Sequence, residues 1–96
     1  MRINYIVTYD IRSEKRLRRV FRICKDFGVH LQYSVFECDL TPAERVRMEA
    51  RLSEVIHHTE DQVLFIELGP SSQRGERTVT ALGQTYAKWM QPCFVA

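Results

Sequence analysis

The segment Gln62–Leu68 (QVLFIEL) limits what this chain can become more than any other. Side chains on an extended strand alternate between its two faces. Leu64, Ile66 and Leu68 therefore share one face, while Val63 and Phe65 share the other. A strand that is apolar on both faces needs cover on both. The chain has 96 residues, room for one domain. A domain of that size buries only about 60–65% of its unfolded surface and is marginal alone. Its own helices can cover one face of a sheet. The other face calls for a second body, and a second copy of the chain is the simplest one.

The remaining segments supply the rest of the sheet and its helices. Arg2–Tyr9 alternates as a strand, with Ile3, Tyr5, Val7 and Tyr9 on one face and Asn4, Ile6, Thr8 and Asp10 on the other. Ser13–Phe27 reads as a helix whose apolar stripe is Leu17, Val20, Phe21, Cys24 and Phe27. Ser13 suits the N-cap, Glu14 the first turn, and Gly28 a left-handed position just past the end. Val29–Leu40 is extended, and twelve residues suffice for a tight pair of strands bent near Tyr33-Ser34, although no Gly or Pro marks the bend. Thr41-Pro42-Ala43-Glu44 announces a second helix through a capping box with Pro at the first helical position. Met48, Leu52, Val55 and Ile56 form its buried stripe, and it fades near His57-His58.

After Gln62–Leu68, Gly69-Pro70 reads as a stop and Ser71–Glu76 as a polar turn. Thr78–Leu82 reads as a short strand, Gln84–Gln91 is ambiguous, and Pro92–Ala96 reads as a last short strand. The expected fold is a single α+β domain over residues 1–96. It is ferredoxin-like, with an antiparallel sheet of about four strands, both helices on one face, and residues 84–96 as an extension. The order is βαββαβ if Val29–Leu40 is a hairpin, and βαβαββ with a trailing strand if it is not.

Apolar residues make up 45% of the chain, too many for a disordered one. No apolar run approaches the ~20 residues of a membrane span. No charged leader with an apolar stretch and a small-residue cleavage site is visible, which points to the cytoplasm. Cys24, Cys38 and Cys93 are far apart and form no C-x-x-C pair, so they read as reduced thiols rather than as zinc ligands or a disulfide framework.

Charge distribution gives the first functional clue. The whole chain is only +2. Between Ile11 and His30, however, Arg12, Lys15, Arg16, Arg18, Arg19, Arg22 and Lys25 face only Glu14 and Asp26. A helix surface rich in arginine suits phosphate, whose contacts give sequence-blind, salt-dependent affinity. No aromatic residues interleave on that polar face, so base stacking is not indicated there. At the end of the first strand stands Asp10. It either caps the turn into the helix or presents a carboxylate on the face away from the helices. Magnesium needs one or two carboxylates and fills its other positions with water and phosphate. A two-fold axis near Asp10 would supply the second carboxylate from the partner chain. His30, just past Gly28, is either a phosphate contact or inert, and adjacent His57 and His58 cannot easily share one zinc ion.

Tyr9-Asp10-Ile11, a basic helix ending in Gly28, and then Gln32-Tyr33-Ser34-Val35-Phe36-Glu37 closely resemble the family of CRISPR-associated protein two. Leu40-Thr41 before a helix, Asp61 before Val63–Leu68, and Leu82-Gly83 agree with it, so the resemblance covers roughly residues 1–83. It implies a ferredoxin-like homodimer that acts as a metal-dependent endonuclease on RNA or double-stranded DNA. It also implies the central dimer of the spacer-acquisition complex, bridging copies of the integrase, CRISPR-associated protein one. In that light Asp10 matches the metal-binding aspartate, with one magnesium ion between the two Asp10 of a dimer. Tyr9, Arg16, Arg19, Ser34 and Phe36 fall at or near positions of support or phosphate contact, and Arg18 and Arg22 extend the basic surface. His30 stands where many members carry arginine. The tail Pro92–Val95 resembles the strand that members lend to the partner's sheet. A non-catalytic scaffold that holds DNA and docks the integrase is the alternative function. An RNA-recognition motif ranks below both, because its characteristic aromatics are missing.

Overall fold

Alternation along the first strand decides which side of the sheet becomes the core. In the computed structural model, which describes residues 1–73 and 80–83, strand β1 spans Ile3–Asp10. Tyr5, Val7 and Tyr9 are buried, while Asp10 at its end is exposed. Helix α1 follows over Glu14–Phe27, with the Ser13 hydroxyl accepting the Arg16 N–H at 3.3 Å. Its buried side is Val20, Phe21, Ile23 and Cys24, with Leu17 and Phe27 packed at the margin.

Strand β2 (Gly28–Gln32) starts where α1 stops. The expected left-handed Gly28 is corrected here, because its φ of −159° and ψ of −169° are extended backbone. Glycine is required for another reason. A Cβ at this position would lie 2.4 Å from Cys38 Sγ and 2.5 Å from the Glu37 carbonyl oxygen. Absence of a side chain lets β2 press directly on its neighbour, β3 (Val35–Leu40).

β2 and β3 form the tight pair of strands whose bend falls at Tyr33-Ser34. Tyr33 takes φ +32°, a region that hairpins usually give to glycine or asparagine. The Tyr9 N–H donates to the Ser34 carbonyl at 3.2 Å, which ties the hairpin tip to the end of β1. Helix α2 spans Pro42–Val55 behind the capping box of Thr41 and Glu44, and buries Met48 and Leu52. Strand β4 then runs over Gln62–Pro70. It passes through Gly69-Pro70 rather than stopping there. The register slips between Asn4 and Tyr5, which pair with Gly69 and Glu67, and Gly69 at φ +115° absorbs the bulge. As an edge strand, β4 tolerates a proline at its end.

The sheet order is β2-β3-β1-β4, all antiparallel, so the chain order is βαββαβ. One continuous core joins Tyr5, Val7, Tyr9, Phe36, Cys38 and Leu40 of the sheet to Val20, Phe21, Ile23 and Cys24 of α1 and Met48 and Leu52 of α2. The opposite face has no helix among the described residues, and Leu64 and Ile66 are 44% and 47% exposed there. Ser71–Gln73 forms a single 3-10 turn. Thr80–Leu82 is not in a strand, contrary to expectation, and Thr78 and Val79 lie outside the described residues. So do residues 84–96, and with them Trp89, Cys93 and the tail Pro92–Val95 expected to exchange between chains.

A Gly28→Ala substitution should lower stability by about 2–3 kcal/mol, at the upper end of ordinary overpacking, since a backbone carbonyl as well as a side chain stands in the way. Urea unfolding of the two proteins would measure the difference.

Candidate metal and nucleic-acid site

Asp10 terminates β1 between two structures that fix its backbone. On one side it pairs with Gln62 of β4, and on the other Tyr9 bonds to the hairpin tip at Ser34. Its side chain is 69% exposed and, among the described residues, pairs only with the guanidinium of Arg12, at 3.9 Å and itself 68% exposed. Such an ion pair contributes little to stability, on the order of 0–1 kcal/mol. The carboxylate is therefore available to a ligand. It lies on the same strand face as Ile6 and Thr8, as alternation requires.

Behind Asp10 lies an aromatic cluster. Tyr9 stacks on Phe36 with ring centroids 6.3 Å apart, and Phe36 meets Phe21 at 5.6 Å and His30 at 4.8 Å. Phe36 is fully buried. The Tyr9 hydroxyl is buried without a hydrogen-bond partner among the described residues, and burial pushes its pKa well above the ordinary value, with a smaller contribution from Cys24. Tyr9 is thus a neutral packing group, not a base. Tyr9, Ser34 and Phe36 all sit where they can hold the end of β1 still, through ring packing or the Ser34 carbonyl.

Two residues expected at a phosphate surface are engaged elsewhere. The His30 Nε2–H donates to the Tyr33 carbonyl at 2.7 Å, and Nδ1 is buried. Its ring is packed edge-on against Phe21, 5.0 Å away, and stacked on Phe36. In this conformation the imidazole closes the hairpin and offers phosphate no nitrogen. Arg16 is likewise turned inward. Its Nε–H donates to Asp61 Oδ2 at 2.6 Å, and its Nη2–H groups donate to Asp61 Oδ1 at 3.1 Å and Glu60 Oε1 at 3.0 Å. By contrast Arg18, Arg19 and Arg22 are exposed on α1, and no ion pair engages them among the described residues.

Asp61, which the sequence marks only as part of the family resemblance and gives no role, organises this region. Its side chain is wholly buried beside Arg16, and it also accepts the backbone N–H groups of Arg12 at 2.9 Å and His57 at 2.8 Å. The Arg16 hydrogen bonds, followed by those two backbone bonds, hold its carboxyl far below the usual range against the opposing effect of burial. Cys24 and Cys38 are free and buried, and burial pushes both thiols up to about 12, which makes them unreactive.

Residues 1–75 match the family model described as CRISPR associated protein Cas2. A protein of Geobacter sulfurreducens named CRISPR-associated endoribonuclease Cas2 is 43% identical over 82 residues, 85% of each chain. The Thermodesulfovibrio yellowstonii protein named CRISPR-associated endoribonuclease Cas2 2 is 46% identical over 72 residues, 75% of this chain and 79% of that one. Among solved structures, Streptococcus pyogenes Cas2 at pH 6.5 superposes with a TM-score of 0.66 at 41% identity, covering 80% of this chain and 99% of that one. The Thermus thermophilus protein TT1823 shares the fold, with a TM-score of 0.74 at 23% identity over 91% of this chain and all of that one.

The Asp61 carboxyl has a sign-definite consequence. Because its native pKa is depressed, its stabilisation is complete above its unfolded value of about 4 and is lost as pH falls through the lower native one. Thermal unfolding followed from about pH 5 down to about pH 2 should show stability falling with acid. In Asp61→Asn that fall should be shallower.

Proposed function

This chain belongs to the CRISPR-associated protein Cas2 family, and on that premise we propose that it is a metal-dependent endonuclease of the CRISPR system, acting on nucleic acid as a homodimer. The observation that carries this reading is the Asp10 carboxylate, exposed at the end of a central strand on the face that no described helix covers. Relatives named as endoribonucleases support RNA as a substrate, and double-stranded DNA is the other substrate implied by the family resemblance.

The donor set suits a weakly held hard cation. Among the described residues no three His, Cys, Asp or Glu side chains converge on a possible metal position. A single chain therefore offers no cage, but magnesium does not require one. Two Asp10 carboxylates in a dimer would hold the ion, and sheets meeting through Ile6, Leu64 and Ile66 would bring them to one side. Bound there, magnesium would neutralise phosphate charge and favour attack by water on the phosphodiester. The chain's own part is to present Asp10 rigidly, to keep Arg12 beside it, and to leave the sheet face free for the second copy.

A separate observation favours a second role. Arg18, Arg19 and Arg22 are exposed on the helical side, away from Asp10, with no carboxylate pairing them among the described residues. That surface fits the phosphates of a duplex and supports a place in spacer acquisition, with the dimer as a DNA-holding scaffold for the integrase, CRISPR-associated protein one. Binding there and cleavage at Asp10 use different residues and are compatible.

Asp10→Ala should reduce cleavage of RNA by roughly a hundredfold or more, the scale on which removing one group from a catalytic set acts, and chelation of divalent ions should do the same. Cleavage at the wild-type rate by a folded Asp10→Ala protein would refute the nuclease reading. Changing Arg18, Arg19 and Arg22 together to glutamate should weaken duplex binding and flatten its salt dependence, each lost phosphate contact removing a slope of about 0.9. An unchanged salt titration would remove the scaffold surface from α1.

A further inference from the structure

Asp61 lies immediately before β4, next to Gln62, which pairs with Asp10. Its two oxygens reach both chain segments that frame the candidate site. Oδ1 accepts the Arg12 N–H at 2.9 Å and Oδ2 accepts the His57 N–H at 2.8 Å. The first bond grips the backbone two residues beyond Asp10. The second fixes the loop that delivers β4. Arg16 then binds both oxygens of the carboxylate, which leaves the charge compensated although the side chain is wholly buried. Arg12, held by its amide, sends its guanidinium back to Asp10 at 3.9 Å.

We propose that Asp61, with Arg16 as its fork partner, is a positioning residue for Asp10: it sets the direction in which the chain leaves β1 and so where the Asp10 carboxylate and the Arg12 guanidinium stand. This rests on the reading of Asp10 as the metal ligand. An ion pair serving only to staple α1 to the loop after α2 would not need the Arg12 amide. The amide bond instead makes the staple continuous with the strand end that carries Asp10. Displacement of a functional group by about 1 Å can cost on the order of a hundredfold in rate, so a fixed exit from β1 matters at a site built from so few groups. The same geometry reassigns Arg16. Its effect on the reaction passes through Asp61 and not through a phosphate contact.

The test uses the full chain and compares Asp61→Asn, Arg16→Lys and Asp10→Ala with wild type. Asparagine keeps the shape but loses the charge, and lysine keeps the charge but loses the fork. The measurements are thermal unfolding, calorimetric binding of Mn²⁺ to the protein without nucleic acid, and the kcat and KM of RNA cleavage. In Asp61→Asn, Mn²⁺ binding and kcat should each fall about tenfold, as for other outer partners of metal ligands, with KM for RNA unchanged. Arg16→Lys should fall between that variant and wild type, with the same KM. A folded Asp61→Asn protein with wild-type Mn²⁺ affinity and kcat would overturn the proposal, as would a rise in KM alone in Arg16→Lys. If Asp61→Asn does not fold, Arg16→Lys decides by the same measurements. Asp10→Ala distinguishes failure of the positioning role from failure of the Asp10 assignment. If it loses metal binding and cleavage while Asp61→Asn loses neither, only the positioning role fails. If it keeps both, the assignment of Asp10 fails and the positioning role with it.

Discussion

Because β1 lies inside the sheet with an antiparallel partner on each side, its backbone is bonded along both edges and its side chains have only two places to go. Tyr5, Val7 and Tyr9 go to the helices, and everything packed around them follows. Asp10 goes to the other side. The same pleat that fills the core therefore delivers the one carboxylate on which the functional reading depends. A register slip of a single residue on β1 would exchange the two faces and lose both at once. The slip between Asn4 and Tyr5 is confined to the pairing with β4, at the end of β1 far from Asp10.

The two sides of the sheet differ sharply in chemical character. The helical side carries a dense positive surface on α1, whose exposed arginines suit phosphate contacts that do not read sequence. The open side carries exposed Leu64 and Ile66 beside the carboxylate of Asp10. An apolar sheet face and a hydrated acidic group are poor neighbours in water. In the proposed dimer a second sheet would cover the apolar residues and leave the acidic ends of the strands at the rim. On the proposed reading, this division would let one small chain hold a duplex on one side and act on a phosphodiester on the other.

Arginines of one helix have very different tasks despite a uniform appearance in sequence. Arg16 is half-buried and held by Asp61 and Glu60, while Arg18, Arg19 and Arg22 stand in solvent. The distinction comes from helical phase combined with the position of one loop. Arg16 is three residues past the Ser13 cap, on the side facing the turn between α2 and β4, where the Asp61 carboxylate waits.

The sequence by itself determined the strands β1 and β4, both helices with their N-caps, the apolar stripes and the basic character of α1, because periodicity and capping are local and act within a few residues. Alternation also placed Asp10 on the face away from the helices, while its proposed metal role comes from the family resemblance. Only the tertiary structure decided the rest. The hairpin at Tyr33-Ser34 has no glycine: a tyrosine takes φ +32°, which local preference disfavours, at a tip held by the Tyr9 N–H on Ser34 and by His30 on the Tyr33 carbonyl. Gly28 serves close approach to Cys38 and not a left-handed cap, a fact visible only once β3 lies beside it. His30 turns into the aromatic cluster, and Asp61 gathers partners that are four, 45 and 49 residues away in the chain. Hydrogen bonds across such separations leave no period in a sequence, because the chain must fold before their donors and acceptor meet.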